Sequence, residues 1–159
     1  MKNTRFGSLS GSESFDRVFK EGVRVRTRFG TVRVRAYAGN EAPETTRSVL
    51  PASGLSAHKR ALHPASLIRI GFVVRKALGT AVERNRARRV ARAAVREAWE
   101  RFQSRQPRGA SRAHRCQSFD VVIQLTSIDV DRDELVDSVK EALERSVSRA
   151  QGRTPDMLS

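Results

Sequence analysis

The sequence predicts an α+β fold: a two-layer α/β sandwich in which a central sheet of about four strands packs with three helices, in the order α-β-β-β-α-β-α. Two patterns carry this. Segments 23–37, 67–74 and 119–125 alternate apolar and polar residues or run apolar, as strands do. Segments 12–20, 80–102 and 131–147 repeat apolar residues every three or four positions, as amphipathic helices do. Neither kind of element buries its apolar side alone, and a sheet covered by helices combines them. The length sets the scale. A chain of 159 residues without internal repeats suits one core, so 1–159 is read as a single domain.

In chain order, positions 1–8 and 151–159 are expected to be flexible ends. Ser12 to Lys20 is a short helix: Ser12 suits an N-cap, Phe15, Val18 and Phe19 share a face, and Gly22 is placed to end it. Val23 and Val25 are apolar at odd positions, whereas Val32, Val34 and Ala36 are apolar at even ones. The phase flips around Gly30, which implies a bulge or a lead-in segment before the main strand. Asn40 to Pro64 holds Pro43, Pro51 and Pro64 among small residues with no period, and is expected to be a disordered insertion between strands. Leu67 to Val74 is a central strand interrupted by Arg69. An exit loop, Arg75 to Gly79, leads to a capping box of Thr80 and Glu83, which opens a helix running to about Phe102. Pro107 and Gly109 mark a polar loop. Phe119, Val121, Ile123 and Leu125 line one face of another strand, with Asp120 and Gln124 opposite. Asp131 and Glu134 cap the last helix, whose buried stripe is Leu135, Val136, Val139, Ala142, Leu143 and Val147.

Charge narrows the function. Lys and Arg number 31 against 17 Asp and Glu, a formal charge of +14, which draws polyanions. Cys116 is the only cysteine, so internal disulfides and thiolate zinc clusters are excluded. Met1 to Ser10 lacks the apolar core of a signal peptide, and no apolar run approaches the ~20 residues that span a bilayer. A soluble, cytoplasmic protein is expected, without a membrane or an obligate protein partner. No residue is assigned a catalytic or metal-binding role. Paired carboxylates and nucleophile triads are not discernible, His58 and His63 have no partner ligands, and His114 and Cys116 lack a third group.

The densest feature lies at the start of the long helix, where Arg84, Arg86, Arg88, Arg89 and Arg92 surround Asn85. Ala87, Ala91, Ala94, Ala98 and Phe102, with Val90 and Val95, build the core-facing stripe; Arg86, Arg89, Arg92 and Arg96 stand opposite. Cations near a helix N-terminus oppose the macrodipole by about 0.3–1 kcal/mol each, and asparagine is a poor interior helix former. A phosphate-binding surface explains both departures, because guanidinium forks match phosphate oxygens and helix N-termini attract anions. Glu97 and Glu100 are placed to neutralise Arg96, Arg101 and Arg105, whereas Arg84 to Arg92 have only Glu83 nearby. The last helix is acidic and is expected to face away from the polyanion.

Two stretches then resemble a known family. Phe15-Asp16-Arg17-Val18-Phe19-Lys20-Glu21-Gly22 and Gly71-Phe72-Val73-Val74-Arg75-Lys76-Ala77-Leu78-Gly79-Thr80-Ala81-Val82-Glu83-Arg84-Asn85-Arg86 are similar to the protein subunit of bacterial ribonuclease P. The resemblance runs from Leu9 to Val147, outside the insertion, and its most specific part is the order strand, exit loop, Arg-Asn-Arg helix. It implies a left-handed crossover within the sandwich, against the usual rule. It implies partnership with the ribonuclease P RNA, which carries out Mg²⁺-dependent removal of the 5′ leader from precursor tRNA while the protein binds both the RNA and the leader. The Mg²⁺ would be held mainly by the RNA.

By position, the resemblance makes Arg75, Lys76, Arg84, Asn85, Arg86, Arg88, Arg89 and Arg92 the RNA-binding residues. It puts a leader-binding cleft between the first helix and the sheet, with Phe15 and Phe19 on the helix side; on the strand side, Arg24, Arg26 and Arg28 line one face before the phase flip and Arg33 and Arg35 continue it, and Arg28, Arg33 and Arg35 are assigned to the cleft. Aromatic rings hold single strands by stacking; the alternative is that both phenylalanines are core. The chain departs from the family in having Gly11 to Ser14 where a basic pair is usual, Arg33 where an aromatic lines the cleft, and Ala77 for a lysine. A structural RNA-binding protein of ribosomal type is the competing reading, and a DNA-binding helix-turn-helix protein a third.

Overall fold

The computed structural model describes residues 4–37, 66–105 and 118–152. The 40–64 insertion with His58 and His63, the loop carrying His114 and Cys116, and the 153–159 tail lie outside the described residues. The elements are β1 (Thr4–Ser8), α1 (Ser12–Glu21), β2 (Val23–Thr27), β3 (Gly30–Ala36), β4 (Ser66–Val74), α2 (Ala81–Arg105), β5 (Phe119–Leu125) and α3 (Arg132–Ala150). They form a sheet of five strands in the order β1-β4-β5-β3-β2. β4 pairs in parallel with β1 and β5, while β3 pairs antiparallel with β5 and β2. No described helix is long and apolar enough to cross a membrane.

The predicted α+β sandwich is present, with one strand more than expected. β1 falls in a segment read as a flexible end, because Thr4–Ser8 has one large apolar residue, Phe6, and no visible alternation. Distant side chains hold it: the Trp99 indole N–H donates to Thr4 Oγ1 at 3.0 Å, and Gln103 Nε2 donates to the same oxygen at 3.3 Å. The phase flip near Gly30 is a chain reversal rather than a bulge or lead-in. β2 and β3 form a hairpin turning at Arg28 and Phe29, whose register sets Val23 against Val34 and Val25 against Val32. The odd and even valines thus share one face. A side chain at Gly30 would run into the Gln124 carbonyl of β5, so close approach of the backbones demands glycine there. α1 starts from Gly11, with no side-chain cap; Ser12 is its first helical residue rather than its N-cap.

The main core lies between the sheet and the α2/α3 layer. Ala87, Ala91, Ala94 and Ala98 bring α2 close to the strands, as their spacing predicts. Trp99 adds bulk that the stripe did not include, with its ring 5.5 Å from Phe102 and 5.4 Å from Phe119. α3 is capped by Asp131, whose carboxylate accepts from the Asp133 and Glu134 amides. A smaller cluster, Leu9, Val18 and Val122 with Phe15, Phe19 and Val73, packs α1 on the opposite face.

That second face carries a buried polar network. The Arg69 guanidinium donates to both Asp120 oxygens, at 2.7 and 2.6 Å, and to the Tyr37 hydroxyl at 3.1 Å. The Tyr37 hydroxyl in turn donates to Asp120. Arg69 and Asp120 are register partners on β4 and β5, and are 6% and 1% exposed. Burial works against the Arg69 charge, but the hydrogen bonds and charge of Asp120 outweigh it and raise the guanidinium pKa. Burial, reinforced by Asp120, also raises that of Tyr37.

Candidate nucleic-acid interface

The basic end of α2 is built outward from its cap. The Thr80 amide and hydroxyl donate to Glu83 Oε2 at 2.8 and 2.9 Å, and the Glu83 amide donates back to Thr80 Oγ1 at 3.3 Å. These bonds, the backbone one foremost, hold the Glu83 carboxyl below the usual range. The acid nearest the arginines is therefore engaged at the helix start. Gly79 has φ +143°, and a Cβ there would lie 2.7 Å from Glu83 Oε2, so glycine keeps the cap intact.

Beyond the cap, Asn85, Arg86, Arg89 and Arg92 are exposed, whereas Arg84 and Arg88 are half-buried. Among the described residues, no carboxylate forms an ion pair with Arg84, Arg86, Arg88, Arg89 or Arg92; the ion pairs involve other arginines. Arg84 Nη1 donates to the Lys76 carbonyl at 2.8 Å and so fastens the exit loop, with its exposed Arg75 and Lys76, to the helix. Arg88 Nη1 is 3.4 Å from Asn85 Oδ1, so the asparagine orients a neighbouring guanidinium. Arg92 lies over the Phe72 ring at 5.2 Å, a cation–π placement that leaves its donors free to point outward.

The far end of α2 behaves differently. Glu97 binds Arg101 at 2.7 Å and Arg132 of α3 at 2.8 Å. It does not take Arg96, which sits over the Phe6 ring at 5.4 Å instead. Acids thus neutralise the junction of α2 with α3 and leave the opening turns of α2 basic.

On the other face of the sheet, α1 brings Phe15, Phe19 and Arg33 together. Phe15 packs directly against the backbone of β4 at Gly71: a Cβ there would be 2.6 Å from its Cζ. Arg33 lies 5.0 Å from the Phe19 ring centroid and donates from Nη1 to the Phe19 carbonyl at 3.3 Å. Both rings remain half-exposed, so each is partly core and partly open surface. Arg35 stands at the closed end of this strip, bound to Glu21 at 2.6 Å and set 4.5 Å over the Tyr37 ring.

Arg28 is not brought to the strip. It sits in the β2–β3 turn and binds the start of α3, with its amide 3.0 Å and its Nε 2.7 Å from Glu134 and its Nη2 3.3 Å from Asp131. The hydrogen bonds from Arg28 hold the Glu134 carboxyl below its ordinary range. The alternation in 23–37 could not show this, because Arg28 belongs to the turn and not to a strand face.

Sequence reasoning missed Val73, Gln124 and Thr31, which are half-exposed and face one another across β4, β5 and β3 as the floor of the strip; Arg26 of β2, read from the alternation as part of a basic face, continues the row. The available signal was the phase of β5, which set Gln124 opposite the apolar stripe; its neighbours follow only from register. Among the described residues, no group of three or more His, Cys, Asp or Glu could hold a metal ion.

A family model described as Ribonuclease P matches residues 4–147. Among solved structures, the chain is similar to a Staphylococcus aureus RNase P protein, at 19% identity over 87% of this chain and 94% of that one, with a TM-score of 0.44. It is also similar to the RNase P protein from Thermotoga maritima, at 22% identity over 84% and 96% of the two chains, with a TM-score of 0.45. No curated protein matches it.

Proposed function

Because this chain belongs to the ribonuclease P protein family, whose model spans 4–147 of its 159 residues, we propose that it binds the ribonuclease P RNA and the 5′ leader of precursor tRNA, assisting Mg²⁺-dependent endonucleolytic removal of that leader. The basic opening turns of α2, with Arg75 and Lys76 of the exit loop, dock on the RNA. The strip between α1 and the sheet receives the single-stranded leader, with Phe15 and Phe19 stacking on bases and Arg33 meeting phosphate. The observation that carries this reading is the run of α2 arginines facing outward with no carboxylate of the described chain against them.

Hydrolysis is assigned to the RNA. Among the described residues no group of three or more His, Cys, Asp or Glu forms a dedicated metal cage, and Glu83 is spent on the helix cap, so the Mg²⁺ is assigned mainly to the RNA. The protein's part is to supply positive charge where two RNA molecules meet and to order the leader.

Reconstitution tests the proposal. Added to ribonuclease P RNA at low Mg²⁺, the protein should increase cleavage of precursor tRNA; no gain would leave a structural RNA-binding protein as the better reading. Phe15→Ala should weaken binding of precursor tRNA with a leader roughly 10-fold, as stacking losses of about 1–3 kcal/mol imply, and weaken binding of mature tRNA far less. Equal losses on both ligands would make Phe15 a packing residue.

A further inference from the structure

Beside the basic turns of α2, the connection from β5 to α3 leaves a groove of about 370 Å³. Ala87 and Val90 of α2 form one apolar wall, and Ile128 and Val130 of the connection form the other. That volume lies at the small end of the roughly 300–1,000 Å³ of small-molecule clefts, room for one flat ring system. The groove adjoins the exit loop, since a Cβ at Gly79 would lie 3.3 Å from Ile128 Cδ1. Val82, one turn ahead of Arg86, is 78% accessible and is the exposed large apolar side chain among the described residues. Apolar surface set among arginines suits the face of an unstacked base better than it suits phosphate.

Two opposite charges flank the groove without meeting. Arg86 and Asp129 both line it, yet neither side chain makes an ion pair or hydrogen bond with another described residue. Glu83, the other acid in the lining, is held by Thr80, and Arg28, behind the turn, is held by Glu134 and Asp131. The backbone that carries Asp129 is braced: its amide donates to Ser127 Oγ at 3.1 Å, and the Val130 amide donates to the Ile128 carbonyl at 3.1 Å. A free carboxylate at the border of a surface that meets RNA repels phosphate, unless the RNA donates hydrogen bonds to it. Guanine alone among the four bases sets two N–H donors side by side, N1 and N2, to match the two carboxylate oxygens.

We infer that this groove takes one unpaired guanosine of the ribonuclease P RNA, with its ring against Val90, Ile128 and Val130, its Watson–Crick edge on Asp129 and its phosphate on Arg86. This rests on the RNA-docking reading above and adds base selectivity to a surface otherwise read as gripping phosphate. Bases splayed out of loops and bulges are the usual targets of sequence-selective RNA recognition.

The test probes ribonuclease P RNA, free and protein-bound, with kethoxal, which modifies N1 and N2 of unpaired guanines. The unmodified protein should shield one guanine that the Asp129→Asn protein leaves reactive, with every other protection kept. Asparagine sets its own N–H donors against one guanine donor, so RNA affinity should fall roughly 10-fold, in the range of a bidentate base contact, with the salt slope unchanged. Plain electrostatics predicts the reverse, because removing a negative charge beside RNA tightens binding. Replacing the shielded guanosine by adenosine should weaken the unmodified protein to the same degree and the variant no further. Asp129 is exposed, and circular dichroism checks that the variant keeps the fold. If Asp129→Asn binds as tightly or more tightly, or shields the same guanines, the base site is overturned while RNA docking stands. If the unmodified protein does not bind the RNA, docking fails and the base site fails with it.

Discussion

Replacing Asp120 by alanine should destabilise the fold by about 3–5 kcal/mol, the usual cost of removing one partner from a buried ion pair. Asp120 accepts from both Arg69 and Tyr37 and is 1% exposed, so its loss strips the neutralising carboxylate from one buried cation and the acceptor from one buried hydroxyl. Asp120→Asn keeps one carbonyl acceptor and should cost less. The joint replacement Arg69→Met with Asp120→Leu should recover much of the stability, because apolar groups of similar volume need no partner. Urea unfolding midpoints measure all three. A loss below about 1 kcal/mol for Asp120→Ala would mean that water or another group takes over the role of the carboxylate.

The same network shows how far local pattern carries a reading. β4 was legible as a strand from its apolar run, yet Arg69 stood there only as an interruption and Asp120 only as a residue on the opposite face. Their meaning is a register fact: two strands separated by α2 place them side by side. β3, β5, α2 and α3 were legible because each buries one face, which prints a period on the sequence. β1 left no such print, since it is held by parallel pairing with β4 and by Trp99 and Gln103 of α2, over ninety positions away. The hairpin was misread as a bulge or lead-in because a phase change looks alike whether the chain kinks or turns back.

The candidate interface divides along the same line. That the opening of α2 is basic and outward was readable from spacing alone, as was the capping box. That Arg28 belongs to α3 while Arg33 belongs to Phe19 was not, because both are arginines in one alternating stretch and only the turn, in which Arg28 itself sits, tells them apart. The acids sort similarly. Glu97 was expected to serve arginines of its own helix, but half of its capacity goes to Arg132, where α3 crosses α2. The consequence is functional: pairing concentrates at the junction with α3, and positive potential is left at the helix start beside the exit loop.

Replacing Arg86 and Arg89 together by alanine should therefore weaken binding to ribonuclease P RNA by roughly 10–100-fold, given about 1.5–3 kcal/mol for a charge-assisted hydrogen bond partly offset by water. The more discriminating readout is salt. Two lost phosphate contacts should reduce the slope of log affinity against log salt by about 1.4–1.8. Both side chains are exposed and alanine is the best helix former, so α2 should remain intact. Arg101→Ala is the matched control: it removes one positive charge from the same helix, but from a guanidinium already bound to Glu97, and should leave the slope nearly as it was. Lysine at both positions should keep the slope while losing part of the affinity, since charge survives and the planar fork does not. If the double alanine variant retains the full slope, or Arg101→Ala lowers it as much, then net charge rather than the arginine face of α2 governs RNA binding.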